Sequence, residues 1–174
     1  MKSVLVVLAV VAAMEPLTYL AHRYVMHGVG WVIHSSHHRP RETRIELNDL
    51  FPAIFATLTI ALFAIGRTTG TALLIPVATG VTIYGAAYSF VHDVYIHGRF
   101  FKVGRIAFLE PLKRAHILHH LYDGEPYGML VPLVPRRIRE RARLLYATQG
   151  EAAYSAELLK GGNFGSPGKY VVVD

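Results

Sequence analysis

The stretch His34-Ser35-Ser36-His37-His38 places histidines at i, i+3 and i+4. On a helix those positions share one face, because about 3.6 residues make a turn. Three imidazoles side by side suit neither an apolar core nor a solvent-facing surface. They suit a metal ion, since histidine is the commonest protein metal ligand. The spacing recurs at His116-Ile117-Leu118-His119-His120. Two further pairs, His22/His27 and His92/His97, each have four residues between them. All ten histidines of the chain fall in these four clusters. One ion takes at most about six ligands, so this number of imidazoles implies two ions.

The chain around these clusters has 174 residues, which predicts one domain. It is 52% apolar and only 17% charged, where a soluble domain carries about 25% charged residues. The apolar residues fall in long runs, the mark of a membrane protein. A net charge of +6 would suggest nucleic acid in a soluble chain. Here the basic residues lie between apolar runs, as they do in loops on the cytoplasmic side of a membrane, so nucleic acid is not the expected partner. There is no cysteine, which excludes disulfides, cysteine-ligated zinc, iron–sulfur clusters and a catalytic thiol. A nitrogen-ligated site of this kind suits iron, copper or zinc.

Residues 3–21 are apolar apart from Ser3, Glu15 and Thr18, and at ~1.5 Å per residue they nearly span a ~30 Å hydrocarbon core. A signal peptide is the rival reading, set aside because the apolar stretch runs straight into the first histidine pair. Glu15 lies seven residues before His22, so both face one side. A carboxylate in a membrane segment points at a partner, and Glu15 either orients the histidine or pairs, protonated, with a neighbouring helix. Pro16 is expected to bend this helix. Residues 22–49 read as a polar loop or short helix. Residues 50–66 and 71–91 are two more apolar runs, joined by the Gly-bounded turn Gly66-Arg67-Thr68-Thr69-Gly70.

Three crossings put residues 22–38 and 92–120 on the same side of the membrane. The loops there carry Arg23, Arg39, Arg41 and Arg44, then Arg99, Lys102, Arg105, Lys113 and Arg114, against Arg67 alone in the opposite turn. That bias predicts a cytoplasmic site. Residues 109–121 read as a short helix broken near Pro111, and residues 128–135 as an interfacial or re-entrant segment that makes three spans, or four. Residues 136–145 are strongly basic and suit an anionic leaflet. The expected division is a membrane domain over residues 1–160 and a flexible tail, natural or appended, over 161–174.

The pairs are less tidy than the triplets. Positions i and i+5 lie about 140° apart on a regular helix, so each pair either has its helix end between the histidines or straddles two ions. Gly28, Gly30 and Gly98 fit helices ending there. Asn48, Asp49, Asp93 and Asp123 are candidates to hydrogen-bond the second ring nitrogens. In the third run, Ala78, Gly80, Gly85, Ala86 and Ala87 either line a groove or allow close helix packing.

The order HxxxxH, HxxHH, HxxxxH, HxxHH resembles the membrane fatty acid hydroxylase superfamily. Within it, residues 5–125 are similar to the bacterial β-carotene 3-hydroxylase family. The supporting stretches are Met26-His27-Gly28 with Gly30-Trp31, Glu46-Leu47-Asn48-Asp49-Leu50, and Tyr84-Gly85 ahead of Val91-His92-Asp93. The resemblance implies an all-α integral membrane protein of the bacterial inner membrane. It implies a non-haem di-iron monooxygenase with His22, His27, His34, His37, His38, His92, His97, His116, His119 and His120 as ligands, and zinc can take iron's place at nitrogen ligands. The implied reaction hydroxylates the β-ionone rings of β-carotene, giving zeaxanthin by way of β-cryptoxanthin, with electrons from a ferredoxin-like donor. No flavin, haem-thiolate or nicotinamide motif is present. The basic surface after Phe101 would dock an acidic carrier or contact lipid headgroups.

Three alternatives stand beside it. One is a hydroxylase or desaturase of acyl chains or sterols. A bis-haem electron carrier would need paired histidines inside two spans, and a metal transporter would need ligands along a mid-membrane path. The histidines instead cluster beyond the spans.

Overall fold

The computed structural model describes residues 1–40 and 43–160; Arg41 and the predicted tail lie outside them. Every regular element among the described residues is helical. Helix α1, Lys2–Leu20, continues as a π-helix over Ala21–Val29. A short helix α2, Trp31–His34, is followed by α3, Leu50–Thr69, and α4, Leu74–Ser89. The latter also runs on as a π-helix, Phe90–Ile96. Helix α5 is Glu110–Tyr122, and α6 is Arg136–Lys160, interrupted at Gly150.

Among the described residues, three helices are long and apolar enough to cross a membrane: Lys2–Val29, Leu47–Thr69 and Leu74–Ile96. The first buries no residue in its apolar part and presents Val4, Leu5, Leu8 and Leu17 outward, as a lipid-facing helix does. It is unbroken at Pro16. Helix α4 is central and packs against both α1 and α3, which hardly touch each other. Gly80 permits the close approach of α1: a Cβ there would lie 2.7 Å from the Cβ of Val10. The predicted turn after residue 66 is shorter than expected. Helix α3 runs on to Thr69, and only Gly70, at φ 70°, turns left-handed to close it.

The rest of the chain forms a cap on the ends of the spans. Pro111 does not break α5 but opens it, at the first turn, where its missing N–H has no partner to lose. Helix α5 buries histidines on one side and Ile117 and Leu118 on another, against Ile96, Met129, Ile138 and Ala142. Ile138 and Ala142 belong to α6. The apolar face of that basic helix therefore covers this core, a role its charge alone did not suggest.

Candidate metal centre

The ten histidines converge at one end of the three spans. His22, His27, His34 and His119 bring one nitrogen each to within 4.8 Å of one another, and His37, His92, His97 and His116 do the same. His38 joins the first set, its Nε2 3.2 Å from that of His34. His120 joins the second, its Nε2 2.9 Å from that of His116. Each set thus takes one HxxxxH pair, the outer two histidines of one triplet and the middle histidine of the other.

The two pairs were expected to need a helix end or two ions. Instead π-winding spans each pair, with His22 and His27 inside one π-helix and His97 capping the other. The N–H of His97 bonds the carbonyl of His92 at 3.0 Å, and that of Gly30 bonds Val25 at 2.7 Å. This i→i+5 winding turns residues five apart to one side. Both members of each pair therefore serve a single set.

The second ring nitrogens are held. His22 Nδ1 donates to the Tyr127 carbonyl at 3.0 Å, His34 to Asn48 Oδ1 at 2.7 Å, and His37 to Glu46 Oε2 at 3.0 Å. His38 donates to Asp123 Oδ1 at 2.7 Å and His92 to Asp93 Oδ1 at 3.1 Å. His119 Nδ1 donates to the Gly124 carbonyl. Asn48, Asp93 and Asp123 thus act as anticipated. Asp49 does not: it accepts from Arg99 and from the N–H of Glu46. Glu46, Tyr127 and Gly124 were missed. The last two act through backbone carbonyls, which leave no side-chain signal in a sequence.

These partners fix the proton on Nδ1 and leave a lone pair on Nε2. Yet the Nε2 atoms of His22 and His34 face each other at 3.1 Å, and those of His34 and His38 at 3.2 Å. Two lone pairs at that distance repel unless a cation lies between them. Nitrogens about 2.1 Å from one ion and at right angles to each other are about 3 Å apart, so the spacing fits a shared metal. Among the described residues, His37 Nε2 is buried without a hydrogen-bond partner, which a metal bond would supply. Burial lowers His34 to about 3 and holds His37, His116 and His119 well below the ordinary imidazole value of 6.5. Repulsion among neighbouring imidazoles adds to the shift. Neutral imidazole is the ligating form.

An apolar cavity of about 530 Å³ leads to the centre. It lies between α1, α3 and α4, with Phe55, Ala56, Ile60, Val81, Gly85 and Ala86 in its wall and His92 at its end. The small residues of α4 therefore divide. Gly85 and Ala86 line the cavity, whereas Gly80 and the fully buried Ala78 serve packing. Glu15 hydrogen-bonds to other groups than the histidines: it accepts from the Tyr84 hydroxyl on α4 at 2.6 Å and from backbone amides of residues 129–131.

Comparison with known proteins gives the family. Residues 7–137 match the fatty acid hydroxylase family. The chain is 46% identical over 125 residues to a β-carotene hydroxylase of Pseudescherichia vulneris, covering 71% of this chain and 70% of that one. It is 36% identical over 159 residues to a β-carotene hydroxylase of Pantoea ananas, covering 88% and 90%. A β-carotene hydroxylase of Paracoccus sp. (strain PC1) is 38% identical over 130 residues, covering 73% and 80%. No solved structure matches the chain. With three membrane-length helices, two histidine sets suited to metal and these relatives, the chain belongs to the fatty acid hydroxylase family, among its β-carotene hydroxylases.

Proposed function

We propose that this protein hydroxylates the β-ionone rings of β-carotene at C3, giving β-cryptoxanthin and then zeaxanthin. The observation that carries the reading is the apolar cavity that runs between the spans and ends on His92. A carotenoid dissolves in the bilayer, so its ring enters from the lipid rather than from water. Helices α1 and α3 hardly touch, which leaves a side of the cavity free for the polyene. Gly85 and Ala86 leave room for the ring close to the backbone of α4, and Phe55 and Ile60 flank it with apolar surface.

The ten histidines are the proposed ligands of two iron ions. When bound, the ions supply the redox chemistry by which O₂, two electrons and two protons yield one hydroxylated C–H bond and one water. The residues around them orient the imidazoles and keep the site dry. Trp31 packs on His27 and His38, with ring centroids 4.9 and 5.2 Å away, and Tyr88 lies 5.3 Å from His92. A ferredoxin-like donor supplies the electrons, since the chain has no redox-cofactor motif of its own. The charge bias of the loops supports a cytoplasmic site in the inner membrane of a bacterium, and residues 1–160 constitute the hydroxylase domain. Expression in a β-carotene-producing bacterial host, followed by pigment chromatography, tests the reading. Zeaxanthin should accumulate; unchanged β-carotene in a host with an active reductase system refutes it.

A further inference from the structure

Residues 128–131 have neither helix nor strand, yet they lie against the apolar helix α1. Backbone amides in so dry a place need acceptors. Glu15 provides them. Its Oε1 accepts from the N–H groups of Met129 at 3.0 Å, Leu130 at 3.1 Å and Val131 at 3.1 Å. Its Oε2 accepts from the Tyr84 hydroxyl at 2.6 Å. Gly128 makes room, for a Cβ there would meet Glu15 Oε1 at 3.1 Å and the Val131 carbonyl at 3.0 Å. The next residue back is Tyr127, whose carbonyl holds His22 Nδ1. Its ring packs against His22, His27 and His119, three members of the first set.

We infer that Glu15 is a positioning residue for the first histidine set. By anchoring the 128–131 backbone, it fixes the Tyr127 carbonyl that sets the tautomer and direction of His22. The inference rests on the reading of the histidines as metal ligands. It concerns one set because Tyr127 meets His22 and its partners, while His37 and His92 donate to Glu46 and Asp93.

The test is a cobalt(II) titration of the full-length, metal-free protein in detergent micelles, followed by the visible absorption of the bound ion. Wild type should take up two equivalents. Glu15→Ala should weaken one equivalent by about 10–100-fold, as loss of a group that orients a ligand does, and leave the other unchanged. Gly128→Ala should reproduce that one-site loss by pushing the segment off the carboxylate. Glu15→Gln keeps an acceptor oxygen for the amides and should restore most of the affinity. Weakening of both equivalents together, or of neither, overturns the role of Glu15. If Glu15→Ala does not fold, Gly128→Ala decides by the same criterion. A wild type that takes up no cobalt overturns instead the metal reading on which the inference rests.

Discussion

The rings of His38 and His120 stack face to face, with centroids 4.1 Å apart and planes 16° from parallel. They are the last histidines of the two triplets, and they belong to different sets. The two sets therefore meet at this stack and form one centre. The middle histidines cross it: His37 lies with His92, at 4.6 Å between ring centroids, and His119 lies with His22, at 4.4 Å.

The crossing predicts which histidines act together. His37→Ala should abolish hydroxylation and lose one metal equivalent. Adding His92→Ala should cost no further metal, because both belong to one histidine set, whereas adding His22→Ala should empty both proposed sites. His119→Ala should also abolish product. Arg139→Ala, at an exposed position of α6, should change neither quantity. Metal analysis of the purified variants checks this, and retention of metal by the His37/His22 double variant would contradict it.

The groups behind the ligands should be separable in the same way. Asn48 backs His34 and Glu46 backs His37. Asn48→Ala and Glu46→Ala should each lower affinity at a single site by about 10–100-fold. The double variant should be weak at both, as read by competition with a chelator.

The glycines of α4 should respond differently to added bulk. A Cβ at Gly85 meets nothing within 4 Å, so Gly85→Leu should extend into the cavity and block hydroxylation while both metals stay bound. Gly80→Leu would instead drive side-chain atoms into Val10 and the Val7 carbonyl. Overpacking of this kind costs about 1–3 kcal/mol or more, and melting temperature should fall along with activity. Equal loss of metal in Gly85→Leu would assign that glycine to packing.

The depressed imidazoles set the direction of the pH response. Above 6.5, His34, His37, His116 and His119 are neutral both folded and unfolded. Below it, the unfolded chain binds protons that the folded state refuses. Stability of the metal-free protein should therefore fall as pH drops from about 6.5 toward 3, by up to about 1.4 kcal/mol per pH unit for each such histidine. Melting curves at pH 7.5 and 5.0 in the presence of a chelator check the sign. A higher melting temperature at pH 5.0 would refute it.

The sequence alone determined the spans, since length and hydropathy are local properties and three uninterrupted apolar runs admit few other fates in a membrane. It also determined that the histidine clusters share one side, because the two spans between them, an even number, return the chain to the face it left. The histidines that converge were legible too: ten stand in four spaced groups and nowhere else. Tertiary structure alone decided how that pool divides. Spacing of i, i+3 and i+4 places three rings on a helix face, but which ring meets which partner depends on where α5 and the π-helical ends of α1 and α4 cross. The π-winding itself was hidden, because residues 21–29 and 90–96 are compatible with ordinary α-helix. What distinguishes the two windings is the convergence of His22 with His27, and of His92 with His97, on a common centre. Glu15 shows the same limit. Its position in an apolar run announced a partner, but that partner is the backbone of residues 129–131, and backbone amides look alike in every sequence.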